Sequence, residues 1–297
     1  MSAVIERPPL DVAASASHTG PARGAGRPRW RDPVPGFGLT LGLSLAWLGA
    51  VILLPLSALV LRSVDLGVEG WWQLLQSERV QQALWLSFST AFLAAGIASV
   101  VGTLIAWVLV RYPFPGRRLI DAMVDLPFAL PTAVAGIALT ALYSGTGWVG
   151  QFLEPQGITI AQRPAGIVLA LVFIGLPFAV RTLQPILETA TREFEEAAAT
   201  LGASRWTILR RVVFPPLRPA ILTGFSLAFA RGLGEYGSVI FIAGNIPFVS
   251  EIAPLLIVIR LEEYDYAGAT GIATLMLAIS FLTLLALGLL QRKTRHG

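Results

Sequence analysis

Six apolar runs divide the chain: Phe37–Leu61, Ala83–Val110, Leu119–Tyr143, Ala165–Leu187, Pro219–Ala243 and Ala269–Leu290, each of 22 residues or more. At 1.5 Å of rise per residue, about 20 residues cross a 30 Å hydrocarbon core. None of the runs alternates apolar and polar positions as a barrel strand does, and an open sheet edge cannot stand in lipid. The pattern therefore predicts an all-α integral membrane protein with six transmembrane helices. Some of the runs carry breaks or charges. Asp121, Asp125, Pro127 and Pro131 interrupt the third, the fourth holds Pro177, Arg181 and Pro185, and the fifth holds Arg231 and Glu235. Prolines within such helices either kink them or are absorbed by packing.

Residues 1–36 are rich in Pro, Gly, Ala and Arg without an apolar period, and are expected to be a disordered cytoplasmic tail. The first run is too long for the core of a signal peptide and lacks a small-x-small cleavage site, so it is read as a transmembrane helix. The remaining expected units are a membrane core over 80–290, a cytoplasmic loop at 188–218, and a short cytoplasmic tail at 291–297.

Composition supports this division. Of 297 residues, 55% are hydrophobic and 13% charged, against about 25% charged in soluble domains. The mean hydropathy is +0.69. The sequence pI of about 9.9 would suit a nucleic-acid binder, but the basic residues follow topology. With the N-terminus inside, the cytoplasmic segments hold sixteen Arg and Lys and the outer loops hold four, namely Arg62, Arg79, Arg163 and Arg260. That is the positive-inside distribution, with both termini cytoplasmic and no nucleic-acid partner implied.

Several chemistries lack their residues. There is no cysteine, and the two histidines, His18 and His296, lie in the tails. No catalytic residue, metal site or cofactor is therefore expected. The sequence contains no G-x-x-x-x-G-K-[ST] loop, and Lys293 is its one lysine, so energy from ATP would have to come from a partner. An ion-coupled secondary transporter would show more spans or an inverted repeat with buried carboxylates; Glu235 is the one deep candidate. A membrane enzyme would need clustered His, Asp or Glu at membrane depth.

The loop 188–218 fits two short helices, Glu193–Leu201 and Ser204–Val213, reversed at Gly202 and stopped by Pro215, Pro216 and Pro219. Such a hairpin either lies among lipid headgroups or docks a partner through its small residues and charged edges. Glu196-Ala197-Ala198, three residues, Gly202, nine residues and then Val212-Val213-Phe214-Pro215 resembles the EAA signature of permeases of binding-protein-dependent ABC importers, with the two apolar positions substituted and the proline kept. The resemblance implies a type I importer permease (MetI-like) fold. It also implies coupling of the loop to an ABC ATPase through Glu195, Glu196, Ala197, Ala198, Gly202, Arg205 and Pro215.

Asp125-Leu126-Pro127 with Pro131-Thr132-Ala133-Val134-Ala135-Gly136, Gly234–Asn245, and Arg260–Tyr266 resemble sulfate/thiosulfate permeases of the CysT (CysU) type, with molybdate or tungstate permeases next. Those last are usually shorter, with five spans. The implied partners are two ATPase subunits, a second permease chain of the W-type paralogue, an external sulfate-binding protein and the lipid bilayer of a bacterial inner membrane. Arg231, Glu235 and Arg181 are expected either to line or gate the pathway or to be structural. For Arg231 and Glu235 the structural role is an i,i+4 pair; for Arg181 it is snorkelling to the interface. Asp121 and Asp125 are expected near the cytoplasmic end of the third run, beside the basic loop Arg111–Arg118.

Overall fold

The computed structural model describes residues 36–189 and 192–295. The expected N-terminal tail, except Gly36, and both histidines lie outside them. The described residues fall into two units, divided after Leu53. The first holds helix α1 (Phe37–Leu48), which continues as a π-turn over Gly49–Leu53.

The second unit begins with α2 (Leu54–Ser63), a 3-10 turn, and α3 (Gly67–Gln76). The long helix α4 (Glu78–Arg111) follows, then α5 (Arg117–Val124), α6 (Leu126–Ala129), α7 (Thr132–Tyr143) and α8 (Gly150–Leu153). After these come α9 (Pro164–Thr189), α10 (Arg192–Thr200), α11 (Arg205–Ile208), α12 (Phe214–Leu233), α13 (Val239–Ala243), α14 (Ala253–Glu262) and α15 (Tyr266–Arg295). Among the described residues every regular element is helical.

The centre of this unit is a three-helix packing of α4, α9 and α12. Lipid tails are as apolar as leucine, so membrane helices associate through close packing of small residues. α4 buries Ala83, Ser87, Ala91, Ala94, Ala98, Gly102 and Ala106, a stripe at three- and four-residue steps. At Gly102 an added Cβ would stand 2.7 Å from the Ala179 Cβ of α9, so only glycine allows that approach. Phe88 and Phe92 of α4 meet Phe225 and Phe229 of α12, the Phe92–Phe225 pair edge-to-face at 5.1 Å.

Among the described residues, five helical stretches are long and apolar enough to cross a membrane: Phe37–Gln76, Glu78–Arg111, Pro164–Thr189, Arg205–Leu233 and Tyr266–Arg292. The third expected span is discontinuous. It breaks at Leu130 and Pro131, which are extended (ψ 135° and 133°), because proline disfavours helix for the residue before it. The remaining piece, α7, has 12 residues, a length of about 18 Å, too short to cross alone.

Two other expectations are corrected. The fifth span does not run on to Ala243: α12 ends at Leu233, and α13 is a separate buried turn. Pro215 and Pro216 do not stop the second helix of the loop, because helix continues from Arg205 to Leu233. A π-turn over Leu209–Val213 lies just ahead of the prolines, which occupy the first turn of α12, where a missing N–H and a fixed φ are tolerated. Pro177 and Pro185 are likewise carried inside α9 without ending it.

Candidate functional site: the hairpin before α12 and the charges behind it

The hairpin is built locally. The Gly202 N–H donates to the Ala199 carbonyl (3.0 Å) and the Ala203 N–H to the Ala198 carbonyl (3.0 Å), with Gly202 at φ +81°. This is a Schellman ending, and it explains the glycine: the residue past the helix end must be left-handed. Ser204 restarts the chain as N-cap, its Oγ accepting from the Thr207 N–H at 3.3 Å. Glu196, Ala197, Gly202 and Arg205 are exposed, while Ala198 and Pro215 are half-buried. Phe194, Leu201 and Trp206 are 70%, 87% and 69% exposed, so the hairpin displays large apolar side chains.

Glu195 stands apart from its neighbours. It is half-buried, and its Oε1 meets Nη2 of Arg111, the last residue of α4, at 2.6 Å. Arg111 also lies over the Trp107 ring at 5.2 Å. The sequence gives no sign of this pairing across 84 positions.

Arg181 is fully engaged. Nε donates to Asp125 Oδ1 (2.8 Å), and Nη1 to Asp121 Oδ1 (2.7 Å) and Gln184 Oε1 (2.6 Å). Nη2 donates to the Asp121 carbonyl (2.9 Å) and to Asp125 Oδ2 (2.5 Å). Guanidinium has five N–H groups, and all five have acceptors. The two aspartates bond α9 through Arg181, and Asp121 also feels the charge of Arg117 at the end of the basic loop. The cluster fastens α5 to α9.

Arg231 and Glu235 do pair, Nη1 to Oε2 at 2.6 Å, with Glu235 just beyond the end of α12. Glu235 is buried, and its Oε1 accepts from the Ser238 N–H (2.9 Å) and the Ser238 hydroxyl (3.1 Å). The Arg231 side chain is 36% exposed. The neighbouring Gly232 packs over Ala91, eight residues and hence about 12 Å along α4 from Ala83.

A further bridge joins the start of α4 to the residues just ahead of α14. Arg79 grips Glu251 with two bonds, at 2.7 and 2.6 Å, and the Glu251 side chain is 1% exposed. An isolated acid between Val249 and the apolar stretch of α14 was its only signal.

Residues 98–296 match the family described as "Binding-protein-dependent transport system inner membrane component". This chain belongs to that family. It is a multi-pass inner-membrane component by that membership and by its apolar helices. It is 51% identical over 254 residues to the "Sulfate transport system permease protein CysT" of Synechocystis, covering 86% of this chain and 89% of that one. The Escherichia coli protein of the same name is 46% identical over 263 residues, covering 89% and 95%. A solved bacterial ABC transporter for import of the acidic polysaccharide alginate has the same fold, with a TM-score of 0.72 at 16% identity over 87% of this chain and 96% of that one. A second alginate transporter structure, in complex with an alginate pentasaccharide-bound periplasmic protein, gives 0.72 at 17% identity over 86% and 93%.

Proposed function

We propose that this chain is the membrane-spanning permease subunit of an ATP-driven importer that carries sulfate, and with it thiosulfate, into the cytoplasm. The 51% identity to a sulfate permease over most of both chains supports the cargo most directly. The exposed Schellman-ended hairpin supports the energy source: it offers small and apolar side chains in a helical pair suited to a cleft on an ABC ATPase. The chain is non-catalytic, and ATP hydrolysis belongs to two partner subunits. A second permease chain of the W type and an external sulfate-binding protein complete the assembly, with both termini cytoplasmic.

The mechanism is alternating access. ATP draws the ATPases together, the hairpins move with them, and the helices rock between inward-open and outward-open states. Each ligand shifts that balance only by its different affinity for the two states. Selection rests with the binding protein, and a permease without a tight anion site releases its cargo quickly.

Arg231 is the residue we assign to the pathway, with Glu235 as its tether. Charges at membrane depth face a water-filled cavity or another chain, not lipid. Arg181 has no N–H left to offer an anion and serves to fasten helices.

The experiment is uptake of labelled sulfate by cells lacking this chain, with and without its restoration, and with molybdate or thiosulfate as competitors. Uptake is expected to vanish and return with the gene, and to compete more strongly with thiosulfate than with molybdate. Unchanged sulfate uptake with reduced molybdate accumulation would move the cargo assignment to molybdate.

A further inference from the structure

Among the helices packed at the centre, α9 and α12 are joined to the hairpin by the chain itself. The hairpin leaves α9 after Thr189 and enters α12 through the π-turn at Leu209–Val213. α4 has no such connection, because its chain leaves at Tyr112 for α5. The Arg111–Glu195 contact ties the end of α4 to the hairpin. Its geometry is that of a rigid coupling. Glu195 lies in the first turn of α10 and Arg111 in the last turn of α4, so each charge is favoured by its own helix pole. The Arg111 side chain is 9% exposed and the Glu195 side chain 28%. Trp107, Tyr112 and Glu196 flank the pair on one side, and Ile186, Phe194 and Val213 on the other.

We infer that Arg111 and Glu195 are positioning residues that transmit hairpin displacement to α4, and that Glu195 is not part of the face that docks the ATPase. The opposite end of the same network supports this: α5, the element after α4, is fastened to α9 by Arg181. A push on the hairpin thus reaches α9 and α12 through the chain, α4 through Glu195, and α5 through both neighbours. A charge-assisted contact adds a directional link between elements that packing already holds together.

The inference rests on the importer reading, and its test separates the two. The complete transporter, with its ATPase and sulfate-binding protein, is reconstituted in vesicles with E195Q, R111Q and the exchanged pair R111E/E195R. Three quantities are read: co-purification of the ATPase, ATP hydrolysis with and without loaded binding protein, and sulfate uptake. Each single variant is expected to retain the ATPase yet lose stimulation by loaded binding protein, and uptake with it, by at least about fivefold, the lower end of typical coupling factors. The exchanged pair restores both in part, because each charge then opposes its helix pole. Single variants that keep full stimulation overturn the inference. So do single variants that lose the ATPase altogether, which would make Glu195 a docking residue. Should R111Q fail to insert, E195Q alone decides. An unaltered transporter showing neither uptake nor stimulated hydrolysis would remove the importer reading itself.

Discussion

Three arginines in or beside the apolar runs carry out different tasks here, and the difference lies in how their N–H groups are used. Arg181 spends all five on Asp121, Asp125 and Gln184. Arg111 ends α4 in a nearly buried contact with Glu195. Arg231 meets Glu235 through Nη1, and no other acceptor faces it among the described residues. A guanidinium with free N–H groups, balanced by a fixed buried carboxylate, suits brief contact with a dianion, because the pair is neutral and does not trap it. R231Q is therefore expected to lower uptake at saturating loaded binding protein by about tenfold, the loss of one charge-assisted contact. ATP hydrolysis should fall less, and R231K should recover part of the uptake. Parallel measurement of hydrolysis and uptake checks this; equal losses in both would assign Arg231 to the structure alone.

At the scale of the element, the hairpin shows why a short signature can be read so far. Its glycine obeys a local rule, since the left-handed turn after Thr200 needs no information from elsewhere in the chain. An added Cβ at Gly202 meets nothing within 4 Å, so the cost inside this chain is conformational only, about 1–2 kcal/mol. G202W is consequently expected to insert and fold in the membrane yet abolish sulfate uptake, the indole filling space that a docked ATPase needs. Membrane fractionation with an uptake assay checks both halves, and normal uptake by an inserted variant would remove the docking role of this loop. The third apolar run behaves differently. Its composition reads as one span, and only the extended Leu130–Pro131 step shows that it is assembled from short helices.

For the whole molecule, orientation follows from charge. The excess of Arg and Lys on one side predicts that the hairpin is cytoplasmic and the α7–α9 connection external. The chain has no cysteine, so single introduced thiols report without background. W148C, on a side chain 82% exposed between α7 and α9, is expected to react with an impermeant maleimide applied to intact spheroplasts. L201C, 87% exposed on the hairpin, should react only after permeabilisation. The reverse pattern would invert the topology and place the hairpin beyond reach of any ATPase.

By itself the sequence determined the membrane class, the approximate spans, the hairpin with its reversal at Gly202, and the family resemblance. All of these are local patterns: the length of an apolar run, a helix stop, a spacing of small residues. It also offered the Arg231–Glu235 pair as one of two roles for those charges, because four residues along a helix bring side chains together without help from the rest of the fold. Tertiary structure alone decided that Asp121 and Asp125 hold Arg181, that Glu251 holds Arg79, and that Glu195 turns inward to Arg111. Those partners lie 56 to 172 residues apart. Which distant charges meet depends on how the packing of α4, α9 and α12 brings charged positions together, and no local pattern encodes that distance.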